Sequence, residues 1–222
     1  MTTATAVKHS RILTDLQGAL QRRYDVTVPY CVSQFVSHDS NHLDQLTGVS
    51  SDTPEMLLFQ QNGDNLDITL FLDNKLLQHI DDKRFRRDWN GSQFDNCCIV
   101  LEGVSHFLYL VWNAHYDRQV RLLDVELQAE IDKFVFTSMD TNKAACSHDL
   151  IERLFSNVRF RKDLSPDLHK RYQQANQMAR VYCEWLSNNF ALQMPNRNLT
   201  AELARFYRLS GTAKQSYIRK LH

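Results

Sequence analysis

Glycine is scarce in this chain, six residues in 222, and none falls in a GxGxxG run or a phosphate-wrapping loop. Backbone that closes around a pyrophosphate needs glycine at fixed spacings, so the familiar mononucleotide and dinucleotide folds are disfavoured. The five cysteines, Cys31, Cys97, Cys98, Cys146 and Cys183, form no CxxC pair and are odd in number. Reduced thiols in a cytoplasm are therefore expected. Cys97 and Cys98 precede an apolar run, where they fit as small apolar residues. No Gly-x-Ser-x-Gly occurs, so Ser105 beside His106 does not imply a catalytic triad. No unbroken apolar run reaches the ~18 residues of a membrane span. The N-terminus, Met-Thr-Thr-Ala-Thr-Ala-Val-Lys-His-Ser, lacks the apolar core of a signal peptide. A chain with no membrane association is the expectation.

Net charge is also missing, with 26 Lys and Arg against 26 Asp and Glu. The balance hides a division. Residues 150–222 hold 13 basic against five acidic residues and residues 1–149 hold 13 against 21, so the two parts carry +8 and −8. Such a split points to internal complementarity or to an anionic partner for the second part. Hydrophobic residues make up 43% and aromatics 10%, enough to build a core and to exclude disorder along the whole chain.

The pattern predicts strands early and helices late. Val7, Ile12, Leu16 and Leu20 recur near helical spacing and predict a helix over 7–23. Residues 24–33 read as extended, and 37–54 as a polar loop. Met56–Gln61 and Leu66–Leu72 flank Asn62-Gly63-Asp64-Asn65, a hairpin signal because Asn-Gly tolerates positive φ. A short helix over 74–80 and a basic, aromatic surface segment over 83–89 follow. Asn96 to Trp112, the most apolar stretch, is read as one or two further strands, and 120–136 as a helix. A helix over 147–155 comes next. Ser165-Pro166-Asp167 is a strong helix start, with a capping hydroxyl and proline at the first helical position. Two short helices over 200–209 and 212–221 complete the chain. The expected fold is α+β: a small, mainly antiparallel sheet from the first half, packed against a long helix and a helical C-terminal half. One domain over 1–222 is expected, its sheet within 1–140 and its helical part over 141–222.

The best constellation for chemistry is Glu102, His106, Glu126 and Glu130. A four-residue spacing puts Glu102 and His106 on one face of either a strand or a helix. On the 120–136 helix, with Leu122 at zero, Leu123, Leu127, Ile131 and Phe134 lie at roughly 100° to 180°, Val125, Ala129 and Phe136 at roughly 300° to 340°, and Asp124, Gln128 and Asp132 form a polar arc at roughly 200° to 280°. Glu126, Glu130 and Lys133 fall at roughly 20° to 80°, within the apolar arc. A buried acid must be paired, protonated or metal-bound. Lys133 could neutralise Glu130 and reach toward Glu126. Alternatively, the four residues could hold a divalent metal such as Mg²⁺, Mn²⁺, Fe or Zn²⁺, or His106 could act as general base with Glu102 orienting it and Lys133 nearby. His115, in the turn with Asp117, is a reserve ligand.

In the basic second part, Arg159, Arg161, Lys162, Lys170, Arg171, Arg205 and Arg208 are interleaved with aromatics, the composition of an anion or nucleic-acid surface. Three functions follow as expectations. The first is a cytoplasmic interaction or regulatory subunit with a protein partner or a second copy of itself. The second is a small metal-dependent hydrolase or nuclease built on the Glu/His cluster. The third is a nucleic-acid-binding protein.

Overall fold

The structure is a computed structural model that describes residues 3–39, 53–78, 80, 92–140, 147–158, 164–192 and 196–221. It is an α+β fold. In chain order the elements are α1 (Thr3–Tyr24), a 3-10 turn (Val32–Gln34), β1 (Val36–Ser37), β2 (Glu55–Asn62), β3 (Asn65–Leu72), α2 (Asn74–Gln78) and α3 (Ser92–His115). There follow α4 (Leu122–Asp140), α5 (Ser147–Ile151) running into a π-turn (Glu152–Ser156), α6 (Pro166–Asn189), α7 (Arg197–Arg208) and α8 (Gly211–Ile218). Two compact units result, Met1–Gly18 with Val28–Leu108, and Ala19–Thr27 with Tyr109–His222.

In the first unit the hairpin forms as its turn residues require. Asn62 pairs with Asn65, so Gly63 and Asp64 alone make the turn. Gly63 takes φ of 61°, which costs glycine nothing and other residues strain. β1 adds to the far side of β3, Val36 opposite Leu70, and runs parallel, so the three-stranded sheet is mixed with order β1-β3-β2. Central β3 is buried on both faces at its C-terminal end, where Leu70, Phe71 and Leu72 are all enclosed. The buried Gln17 of α1 braces the following segment, donating to Tyr30 O and accepting from Val32 N, both at 2.7 Å.

Residues 96–112 are helical, which corrects the strand reading. Nearly every residue of α3 from Val100 to Asn113 is buried, whatever its position around the helix. A segment enclosed on all sides shows no polar–apolar period to read, and only its length separates it from a strand. Among the described residues, the stretch Gln93–His115 is apolar and long enough to cross a bilayer, and 78% of its most apolar window is buried within the protein, as in a core helix.

In the second unit, Ser165 caps α6 by accepting from Leu168 N at 3.3 Å, with Pro166 at the first position. Ala175, Ala179, Tyr182 and Leu186, spaced by fours and threes, form its buried face. Asn196 caps α7, and Ser210 caps α8. Arg180 of α6 ties down the π-turn, donating to Glu152 Oε1 at 3.0 Å and Ser156 Oγ at 2.7 Å. α4 packs on α6 and is buried around almost its whole circumference, so its polar arc is enclosed along with its apolar one. Asp124, Gln128 and Asp132, the expected polar arc, are among its most buried residues, whereas Glu126 and Glu130 are half-buried and Leu122 is exposed. Of the expected polar loop over 37–54, Ser37 belongs to β1 and residues 40–52 lie outside the described residues, as does the whole of the basic segment over 83–89.

Candidate functional site

In the first unit, Glu55 opens β2, where it lies opposite Leu72 of β3. Glu102 and His106 stand one helical turn apart on α3. Each of the three offers a ligand atom, and these atoms all lie within 4.8 Å of one another. His106 Nδ1 is 3.3 Å from Glu55 Oε1, with the two side chains only 8% and 11% exposed. An imidazole with two carboxylates is a donor set suited to Mn²⁺, Fe²⁺ or Zn²⁺. The cluster could hold such an ion.

Gly103 makes this approach of strand to helix possible. A Cβ there would stand 3.0 Å from Glu55 Cγ, 3.0 Å from Leu70 Cδ1 and 3.2 Å from Glu55 Oε1. Glycine inside a helix costs about 1 kcal/mol relative to alanine, so its presence between Glu102 and His106 favours the close fit over helix propensity. Gly103→Ala is expected to push the Glu55 carboxylate away from His106 and to lower affinity for divalent metal about tenfold, since displaced ligands cost on that scale. A calorimetric Mn²⁺ or Zn²⁺ titration checks it, and unchanged affinity contradicts it.

Of the residues singled out by the sequence, the structure brings Glu102 and His106 together. It adds Glu55, which no periodicity marked. Glu126 and Glu130 lie on α4 in the second unit with partners there. Lys133, itself buried, donates to Glu130 Oε1 at 2.7 Å, and Arg171 Nε lies 3.9 Å from Glu126 Oε1. The Lys133–Glu130 contact is the i,i+3 pair that the wheel admits. His115 is exposed at the end of α3, and Asp117 follows with φ of 51°.

The basic residues divide similarly. Lys170 is exposed on α6. Arg205 makes a two-pronged contact with Glu202, at 2.7 Å and 3.0 Å, and stacks over Tyr217. Arg208 donates to Tyr24 O at 3.2 Å and reaches the Asp25 carboxylate at 3.3 Å. Arg159, Arg161 and Lys162 lie outside the described residues. The described cysteines Cys31, Cys97, Cys98 and Cys183 are in no disulfide. Burial alone pushes the Cys97 thiol up to about 12.

The buried polar arc of α4 is part of a polar network that sequence reasoning missed. Lys214 of α8 is fully buried and donates to Gln128 Oε1 at 2.7 Å. Gln128 Nε2 donates to Asp132 Oδ1 at 2.7 Å, and Tyr24 donates to the same oxygen. The Lys214 ammonium also sits 4.3 Å from the ring centre of Tyr109 and within cation–π range of Phe206 and Tyr207. Burial pulls its pKa down to about 7, while Asp132 and Asp124 pull the other way. Burial, and next the Asp132 charge, hold the Tyr24 hydroxyl well above its usual value.

Compared with protein-family models, with curated proteins and with solved structures, the chain matches none, so a function must be argued from its own residues.

Proposed function

We propose that this protein binds a divalent metal through Glu55, Glu102 and His106 and uses it in hydrolysis, as a small metal-dependent hydrolase or nuclease. The observation that carries the reading is the convergence of two carboxylates and one imidazole from a strand and a helix within 4.8 Å. Two acids brought together beneath a protein surface repel one another, and a dication offsets that repulsion. Three protein ligands leave coordination positions for water, and a bound divalent metal lowers the pKa of that water into the neutral range. In this reading the two glutamates supply charge, and His106 fixes the direction of approach through its ring plane.

Metal content and activity separate the parts of this proposal. Protein purified without chelator and loaded with Mn²⁺, Fe²⁺ or Zn²⁺ is expected to retain about one ion per chain. At a hundredfold excess over Kd the ion adds about 2.7 kcal/mol to stability, a rise of about 5–10 °C in Tm at this chain length. Glu102→Gln and His106→Gln should lose both the ion and the rise while keeping the wild-type circular dichroism. Turnover of a chromogenic phosphodiester or carboxylic ester only with metal supports the hydrolytic half. Absence of retained metal in the wild type, or equal retention in both variants, removes the whole reading.

A second reading, an interaction subunit, has one observation behind it. Among the described residues β2 is an edge strand whose outer half is exposed, with Phe59 46% exposed. An open edge of this kind accepts a strand from a partner protein. Binding of nucleic acid by the basic residues has less support, because Arg171, Arg205 and Arg208 each have an acidic neighbour in the chain.

A further inference from the structure

The second unit contains a cavity of about 540 Å³ lined by Asp25, Val26, Thr27, Trp112, Tyr116, Arg118 and Arg208. That volume lies within the range of small-molecule sites, which combine aromatic walls with a few placed polar groups. We propose that this cavity binds a small anion carrying a planar aromatic ring, of which a nucleoside monophosphate is the simplest example. The proposal is independent of the metal site, which involves none of these residues.

Arg118 is the anion-binding group. Its guanidinium is set over the Trp112 ring at 5.1 Å and is anchored by donation to Arg208 O at 2.7 Å. Among the described residues that bond commits one of its five N–H groups. A positioned guanidinium with several donors to spare matches a phosphate or carboxylate fork to fork. Arg208 is a fixed second charge. It donates to Tyr24 O at 3.2 Å, to Ala204 O at 3.0 Å and to Asp25 O, and its contact with the Asp25 carboxylate is 3.3 Å. These bonds explain Arg208 as a clamp on the C-terminal end of α1. They leave the orientation of Arg118 and the exposure of Tyr116 to be explained.

Tyr116 is 57% exposed, and its ring centre lies 5.2 Å from that of Trp112. Trp112 is itself buried and held in place by an edge contact with Tyr207, 5.3 Å between ring centres, while Tyr207 stacks on Tyr24 at 4.6 Å. The wall is therefore rigid behind and open in front, a platform on which a flat ring can stack. Asp25 in the lining takes φ of 50°, and Asp117, between lining residues Tyr116 and Arg118, takes φ of 51°; these left-handed residues close the ends of α1 and α3 and turn the chain into the lining. With one carboxylate against two guanidiniums, the lining carries a net positive charge suited to one phosphate. The chain has no glycine-rich loop, so side chains would do the work that backbone amides do elsewhere.

The test is calorimetric titration of the full chain with adenosine 5′-monophosphate in EDTA, so that the metal site does not contribute, with inorganic phosphate and adenosine as separate titrants. Saturable binding of the nucleotide is expected, with each half alone binding at least about tenfold more weakly. Arg118→Gln and Tyr116→Leu should each weaken nucleotide binding about tenfold. Tyr116 is exposed, so its variant is expected to melt with the wild type and keeps the test valid if Arg118→Gln proves unstable. No saturation at millimolar nucleotide overturns the proposal. So does phosphate binding as tightly as the nucleotide, or a Tyr116→Leu affinity equal to wild type.

Discussion

Gly211→Ala is expected to destabilise the protein by about 3 kcal/mol, although alanine is the better helix former by about 1 kcal/mol. Gly211 is the first residue of α8 and is buried. A Cβ at this position would overlap the carboxylate of Asp124. That carboxylate cannot swing aside cheaply. It is 3% exposed and accepts two bonds from Arg121, 2.9 Å from Nε and 2.7 Å from Nη2. Making room for the methyl group breaks this pair or lifts the start of α8, and either leaves buried charge without its partner. A loss of about 6–12 °C in Tm follows for a chain of this length. Thermal melting of the variant checks the sign as well as the size. A variant that melts at or above the wild type contradicts the close approach of Asp124 to α8.

Lys214→Met is expected to cost little at pH 7 and about 2 kcal/mol by pH 8.5, because burial disfavours the ammonium that the variant removes, whereas the neutral amine of the wild type carries no such penalty. Gln128 loses its donor, and the buried Asp132 carboxylate loses a nearby positive charge. Asp132→Asn should restore part of that loss, with a coupling of about 1–3 kcal/mol in the double-mutant cycle. Additive effects would dismiss the network as a cooperative unit.

The same lysine has a signature in pH. Unfolded lysine titrates near 10.4, and burial brings folded Lys214 to about 7. Between those values the unfolded chain binds more protons, so this group makes stability rise with pH. The slope approaches about 1.4 kcal/mol per pH unit above the folded pKa. The groups facing Lys214 are Asp132, Asp124 and Arg118, and the rings of Tyr109, Phe206 and Tyr207. Cys97, Cys183 and Tyr24 have raised values and oppose the rise at higher pH, since each keeps its proton longer when folded. Denaturant unfolding of wild type and Lys214→Met from pH 7 to 8.5 cancels those contributions. The difference between the two proteins should widen with pH, and a constant difference would contradict a depressed Lys214.

Sequence alone determined what one or two turns of chain can decide. Gly63 permits a turn between two strands that few other residues allow, and the hairpin register follows from it. Ser165 and Pro166 begin α6 because a hydroxyl and a residue without an N–H satisfy the first turn locally. Four residues separate Glu102 from His106, so they share a face in either kind of element. With strands placed early and helices late, the α+β class was legible as well. Tertiary structure decided which partner each surface meets. Asn96 to Trp112 is a helix enclosed on almost all sides, and a uniformly apolar segment carries no period from which to tell helix from strand. Glu55 joins His106 through strand pairing and the gap at Gly103, neither of which is encoded near Glu55 in the chain. Asp124, Gln128 and Asp132 look like a water-facing arc on a helical wheel, yet they are buried because Lys214 and Arg121 supply the charge and donors that water would have supplied. A wheel records the polarity of one helix. Whether that polarity meets solvent or a complementary side chain depends on residues far along the chain, brought there only by folding.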